Sequence, residues 1–214
     1  DYDIENEYDF IRDTISRITE ANKKLEVTVQ QQKPFLTSYF FGRLFRGEFN
    51  SKTETEALLK HIGLNLEGKF YVAVILKILA EGNDITEKAI HELGMKKVVI
   101  KEILKSVMQE KTFLYDIDED KIGILLVCDC IDADLCRKQV EENLTKIIDG
   151  VKSVSVGDIK LAVGGRYKDL LEVARSFNEA KQALGSSIWS ENKTIIWYTD
   201  LKKQDKGYFY PVDM

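Results

Sequence analysis

Near the start of the chain, a stripe apolar except at Asn22 and Gln32 recurs at alternating steps of three and four: Tyr8, Ile11, Ile15, Ile18, Asn22, Leu25, Val29, Gln32 and Leu36. A period of 3.5 keeps one narrow stripe facing a partner helix, whereas a helix lying on a globular core carries a wider apolar face. The stripe is flanked by charge and glutamine, which favours a parallel coiled-coil homodimer over a helix folded back on the body with Asn22 at an edge. Tyr8, Ile15, Asn22, Val29 and Leu36 fall at one seam position, and Ile11, Ile18, Leu25 and Gln32 at the other. A lone seam Asn pairs with its counterpart across the dimer, costing stability but fixing register. Five acids and no base among the first nine residues complement the positive end of the helix dipole. Pro34 is expected to close this rod, giving a first segment of residues 1–34.

Residues 35–66 read as a helical joint. Phe40, Phe41, Leu44 and Phe45 repeat at helical spacing and predict a second helix whose aromatic face is core, stopped by Gly47. Ser51 and Glu54 form a capping box for a helix carrying Leu58, Leu59 and Ile62, closed by Gly63, with His61 near its end.

From residue 67 to 214 strands and helices alternate. Phe70 to Leu79 is a buried strand. A short helix around Glu87 to Leu93 and a longer one carrying Val99, Ile100, Ile103, Leu104, Val107 and Met108 follow. Thr112 to Ile117 and Lys121 to Cys128 form a hairpin across the acidic turn Asp118-Glu-Asp120. A helix opens near Asp132 and buries Val140, Leu144, Ile147 and Ile148. Ile159 to Val163 is a strand, Leu170 to Leu184 a helix, and Thr194 to Tyr198 a last strand. The order βααββαβαβ describes an α/β (α+β) layer with a mixed sheet, whose central hairpin separates it from doubly wound parallel folds.

Composition narrows the function. With 31 Lys and Arg against 36 Asp and Glu, the net charge of −5 gives no general attraction for phosphate backbones, so direct DNA binding by this segment is disfavoured. His61 and His91 are the only histidines, which excludes a multi-histidine metal site. Cys128, Cys130 and Cys136 have neither disulfide-framework nor zinc-knuckle spacing and read as reduced thiols. No run of 18 apolar residues and no signal-peptide pattern occurs, so the segment makes no direct membrane contact. A start at Asp1 rather than Met suggests an excised piece.

Three places could carry chemistry. The turn Asp116-Ile-Asp-Glu-Asp120 concentrates carboxylates, but without the glycine and downstream Glu of a calcium loop it reads as a solvated turn. Gly164, Gly165, Arg166 and Lys168 follow a strand and precede a helix, where backbone N–H groups and two cations could hold a phosphate; a tight strand-to-helix turn is the plainer alternative. The cysteine cluster sits among Asp129, Asp132 and Asp134, which disfavours a low-pKa redox thiol.

The stretch Phe35-Leu-Thr-Ser-Tyr-Phe-Phe-Gly-Arg-Leu-Phe-Arg-Gly-Glu48, with the capped helix ending His61-Ile-Gly-Leu64, resembles the entry to the cytosolic regulatory region of large AraC-type transcription regulators of Firmicutes. Leu161-Ala-Val-Gly-Gly-Arg-Tyr-Lys-Asp-Leu-Leu-Glu-Val-Ala-Arg-Ser-Phe-Asn-Glu-Ala-Lys-Gln-Ala-Leu184 and Thr194-Ile-Ile-Trp-Tyr-Thr-Asp-Leu201 are similar to the closing half of the degenerate GGDEF-like domain in that family. The resemblance covers about residues 35–211, and residues 1–34 look like a signalling helix leaving a HAMP module. It implies the cytoplasmic middle of a membrane-anchored regulator, with DNA bound only through a C-terminal domain beyond Met214. It also implies no cofactor, metal or catalytic residue. The hairpin has no Gly-Gly-(Asp/Glu)-Glu-Phe, and Val74-Ile-Leu-Lys-Ile78 lacks the metal-binding Asp of an active cyclase. The alternative is a nucleotide or other small-molecule sensor that uses the cyclase-like cleft.

Overall fold

The structure, a computed structural model, describes residues 2–79, 87–108, 111–186 and 193–205. The chain divides into two compact units, residues 1–40 and 41–214. The first consists of most of helix α1 (Tyr2–Arg46). The side chains of Tyr8, Ile11, Asn22, Leu25 and Val29 lie outside the described residues. Ile15 and Ile18 are 59% and 55% exposed.

Pro34 does not end the helix, as expected, but lies inside α1, and the predicted second helix is the last part of α1. A proline removes the main-chain bond to the carbonyl four residues back, here Gln30. Its fixed φ of about −65° is nevertheless already helical, and the residues that follow favour burial. The stop comes at Gly47, whose φ of 71° only glycine adopts without strain.

The second unit is a five-stranded sheet in the order β2-β3-β1-β4-β5, made of β1 (Phe70–Ile78), β2 (Thr112–Asp118), β3 (Lys121–Cys128), β4 (Ile159–Tyr167) and β5 (Ile195–Trp197). All pairings are antiparallel except β4 with β5. The central strand β1 is buried almost throughout, as its continuous apolar run demands. Its alternating residues Val72, Val74, Leu76 and Ile78 join a core with Ile100 and Leu104 of α3 (Glu87–Val107) and with Val140, Leu144 and Ile147 of α4 (Ala133–Val154).

On the other face lie α5 (Val173–Gly185) and the end of α1. Phe45 packs 4.6 Å from Phe177 of α5 and 5.6 Å from Tyr115, and Phe41 lies 5.5 Å from Phe113, ring centroid to centroid. Helix α2 (Lys52–Ile62) is capped as expected: Ser51 Oγ accepts the Glu54 N–H at 3.1 Å, and Gly63 closes it at φ 69°. The Glu54 carboxylate, however, accepts from Asn50 N–H rather than from the cap residue itself.

Two further expectations are corrected. The pair of helices expected before the hairpin is the single helix α3, because Gly94 is open to solvent and its loss of helix propensity, about 1 kcal/mol, does not break a helix anchored by Ile100 and Leu104. The last strand ends at Trp197, and Tyr198 instead opens α6 (Tyr198–Asp205). No helix among the described residues is long and apolar enough to cross a membrane.

Candidate functional site

The carboxylates of the hairpin are matched by the chain's own lysines. Lys121 Nζ lies 3.0 Å from both Asp118 and Asp120. Asp116 faces Lys101 at 2.8 Å and Lys97 at 3.3 Å, and Lys97 also donates to the Asp118 carbonyl. Partial burial raises the Asp116 pKa, but the two ammonium groups outweigh it and hold the carboxyl below its ordinary value. For Lys121, burial works against the charge, and hydrogen bonds to Asp120 and Asp118 raise the pKa on balance. The neighbouring end of β1 adds another cation, Lys77 opposite Lys121, while Ile78 N–H bonds the Asp120 carbonyl at 2.8 Å. Among the described residues, no group of three or more His, Cys, Asp or Glu is placed to hold a metal ion.

Gly164 and Gly165 lie inside β4, which runs on to Tyr167, and not in the expected strand-to-helix turn. The registers Val72 with Arg166 and Val74 with Val163 leave Ala73 opposite both glycines, which is a β-bulge. Ser176 of α5 fills the gap in the ladder, its Oγ accepting Ala73 N–H at 2.9 Å and donating to the Gly165 carbonyl at 2.5 Å. A Cβ on Gly164 would stand 1.9 Å from the Ser176 carbonyl oxygen, and one on Gly165 would stand 2.3 Å from Glu179 Oε2. The glycines therefore serve the close approach of α5.

Glu179 is only 7% exposed, and its carboxylate accepts Gly165 N–H and the Tyr167 hydroxyl, each at 2.8 Å. Burial, and then the hydrogen bond to Glu179, push the Tyr167 phenol up to about 12. The Gly165 N–H that was a candidate for an anion is thus already engaged.

The four candidate ligand residues separate. Gly164, Gly165 and Arg166 line a cavity of about 400 Å³, walled also by the start of α4 and by Trp197, Tyr198 and Thr199. Lys168 lines another, of about 530 Å³, with Lys52, Lys60 and Tyr71. Both cations lie against Phe70, Arg166 at 4.6 Å and Lys168 at 6.0 Å from the ring centroid. All four sit beside the Phe70–Val72 end of β1, whereas the hairpin turn adjoins Ile78 at the other end.

Sequence reasoning missed Ser176, Glu179 and Arg137. Their signal was polar side chains at core-facing positions of an amphipathic helix, as with Ser176 and Glu179 three residues apart on α5. Arg137 stacks on Trp197 at 4.5 Å and holds Asp200 with both terminal nitrogens, at 3.2 and 3.1 Å, and Glu141 at 3.1 Å.

The three cysteines are free thiols. Cys128 and Cys136 are buried together in the main core. A hydrogen bond with Cys136 and then burial push the Cys128 thiol up. Cys136 sits below the usual thiol value through its bond from Cys128 and, against burial, the positive charge of Arg166. Cys130 bonds Gln139 at 2.7 Å, and burial raises it.

The family described as a GGDEF-like domain matches residues 46–185. An uncharacterized HTH-type transcriptional regulator, YtdP of Bacillus subtilis (strain 168), is 22% identical over 207 residues; these make up 96% of this chain but 27% of that relative's length. Among solved structures, a DGC protein from Thermotoga maritima is 12% identical with a TM-score of 0.41, covering 68% of this chain and 92% of that one. A regulator of polyketide synthase expression from Bifidobacterium adolescentis is 10% identical with a TM-score of 0.44, covering 76% and 57%.

Proposed function

This chain belongs to the GGDEF-like domain family, and from that membership we propose that it is a non-enzymatic signal-transmission module of an AraC-type transcription regulator. In this reading an N-terminal homodimeric coiled coil reports a membrane-anchored sensor to the GGDEF-like body. The body in turn positions a C-terminal DNA-binding domain outside this chain, and the module itself works on the cytoplasmic side. The similarity to an HTH-type regulator across 96% of the chain supports the setting.

The observation that carries the non-enzymatic reading is the hairpin. Phosphoryl transfer in an active cyclase relies on carboxylates that hold divalent metal beside a nucleotide. Here Asp116, Asp118 and Asp120 are paired with Lys97, Lys101 and Lys121, and β1 presents Lys77 opposite Lys121. Three ammonium groups would have to leave before these carboxylates could hold a metal ion.

A heptad rod transmits rotation or register shift when its two arrangements differ by only a few kcal/mol, and polar seam residues such as Asn22 and Gln32 are where that balance is set. The test has two arms. Incubation with GTP or ATP and Mg²⁺ or Mn²⁺ should give no cyclic or linear dinucleotide, and metal-dependent turnover would overturn the non-enzymatic reading. Asn22→Leu in a full-length regulator should lock promoter output in one state; unchanged signalling would overturn the rod as transmitter.

A further inference from the structure

The cavity of about 400 Å³ beside β4 has a wall chemistry that the transmission reading does not use. Its size lies within the range of small-molecule sites, which are mostly apolar with a few fixed polar groups. Trp197 and Tyr198 line it with aromatic surface, and Arg166 brings positive charge.

The two arginines of this wall differ in kind. Arg137 is neutralised by Asp200 and Glu141, and its guanidinium is fixed over Trp197, so it holds the wall in place. Arg166 has no carboxylate partner among the described residues; its guanidinium lies exposed over the Phe70 ring. Two carboxylates also line the cavity, exposed Asp134 and buried Glu179; the Glu179 oxygens accept from Gly165 N–H and the Tyr167 hydroxyl, and neither carboxylate is ion-paired with Arg166. A stacked arginine with open donor edges suits a carboxylate or phosphate oxygen pair.

We propose that this cavity is a binding site for a small aromatic anion, a carboxylate or phosphate monoester on a flat apolar body. Arg166 pairs with the anionic group, and Trp197 and Tyr198 face the ring. The site is separate from the hairpin end of the sheet, where a cyclase would hold nucleotide, and it does not depend on the transmission reading.

The test is calorimetric titration of the full chain with indole-3-acetate, phenyl phosphate and AMP, each beside its neutral counterpart, indole-3-acetamide, phenol and adenosine. At least one anion should bind saturably, about tenfold or more tighter than its neutral partner. Arg166→Gln, a change at an exposed position, should remove that advantage. Ala133→Trp, which fills the cavity from its exposed rim, should abolish binding while circular dichroism and the melting curve stay those of the parent. Lys168→Gln, in the other cavity, should leave affinity unchanged. The proposal is overturned if no anion of the panel binds at millimolar concentration. It is equally overturned if binding survives Arg166→Gln and Ala133→Trp, or if Lys168→Gln abolishes it.

Discussion

Ser176 Oγ accepts the Ala73 N–H at 2.9 Å, standing where a strand carbonyl would stand had β4 kept its register with β1. A helix side chain thus completes a sheet ladder. Ser176→Ala leaves this buried N–H and the Gly165 carbonyl without their partner, a loss of about 1–3 kcal/mol for each buried group left unpaired. Urea unfolding should show a destabilisation of about 2–6 kcal/mol. A change below about 0.5 kcal/mol would mean that water enters the bulge and takes over both bonds.

Two glycines should respond in opposite directions to the same substitution. Gly164→Ala drives a methyl group into the Ser176 carbonyl, which is backbone and cannot swing aside, so unfolding free energy should drop by about 3 kcal/mol or more. Gly94→Ala meets nothing within 4 Å in the middle of α3 and should stabilise by about 0.5–1 kcal/mol. Parallel denaturation curves of the two variants decide the matter.

Tyr167 ties stability to alkaline pH. Its phenol titrates at about 12 when folded and near 10 when exposed, so the native state holds a proton that the unfolded chain has lost between those values. Its contribution is complete below pH 10 and is lost as pH rises through about 12. Tyr167→Phe should flatten that part of the stability profile, and an unaltered slope would separate Tyr167 from the alkaline loss.

Pro34→Ala restores the N–H that α1 lacks in mid-helix. The variant should be more helical by circular dichroism, with the local helix stabilised by up to about 3 kcal/mol. Unchanged helicity would show that the proline costs α1 nothing.

The parts legible in the sequence were those set by short-range chemistry. Asp132 caps α4 by accepting Leu135 N–H at 2.9 Å, Ser51 and Gly63 bound α2, and the acidic turn joins β2 to β3. Pro34 misled because a local penalty of about 3 kcal/mol predicts a break only where nothing else holds the helix. The Gly164-Gly165 pair misled for a different reason. Two glycines at the end of an apolar run suit a tight turn as well as a bulge. What decides between them is a pair of polar residues 11 and 14 positions downstream of Gly165, on a helix that returns over the strand. The sorting of Arg166 and Lys168 into different cavities was equally out of reach, since it depends on which elements flank the end of β4.

The lock between Gly165 and Glu179 also constrains how the sequence can drift. A side chain at position 165 collides with the carboxylate, while shortening or neutralising position 179 strands the Gly165 N–H and the Tyr167 hydroxyl. Neither position can change alone without loss, so substitutions there should travel as a pair in a randomised library. A variant that dispenses with the bulge must relinquish the glycines, Ser176 and Glu179 together.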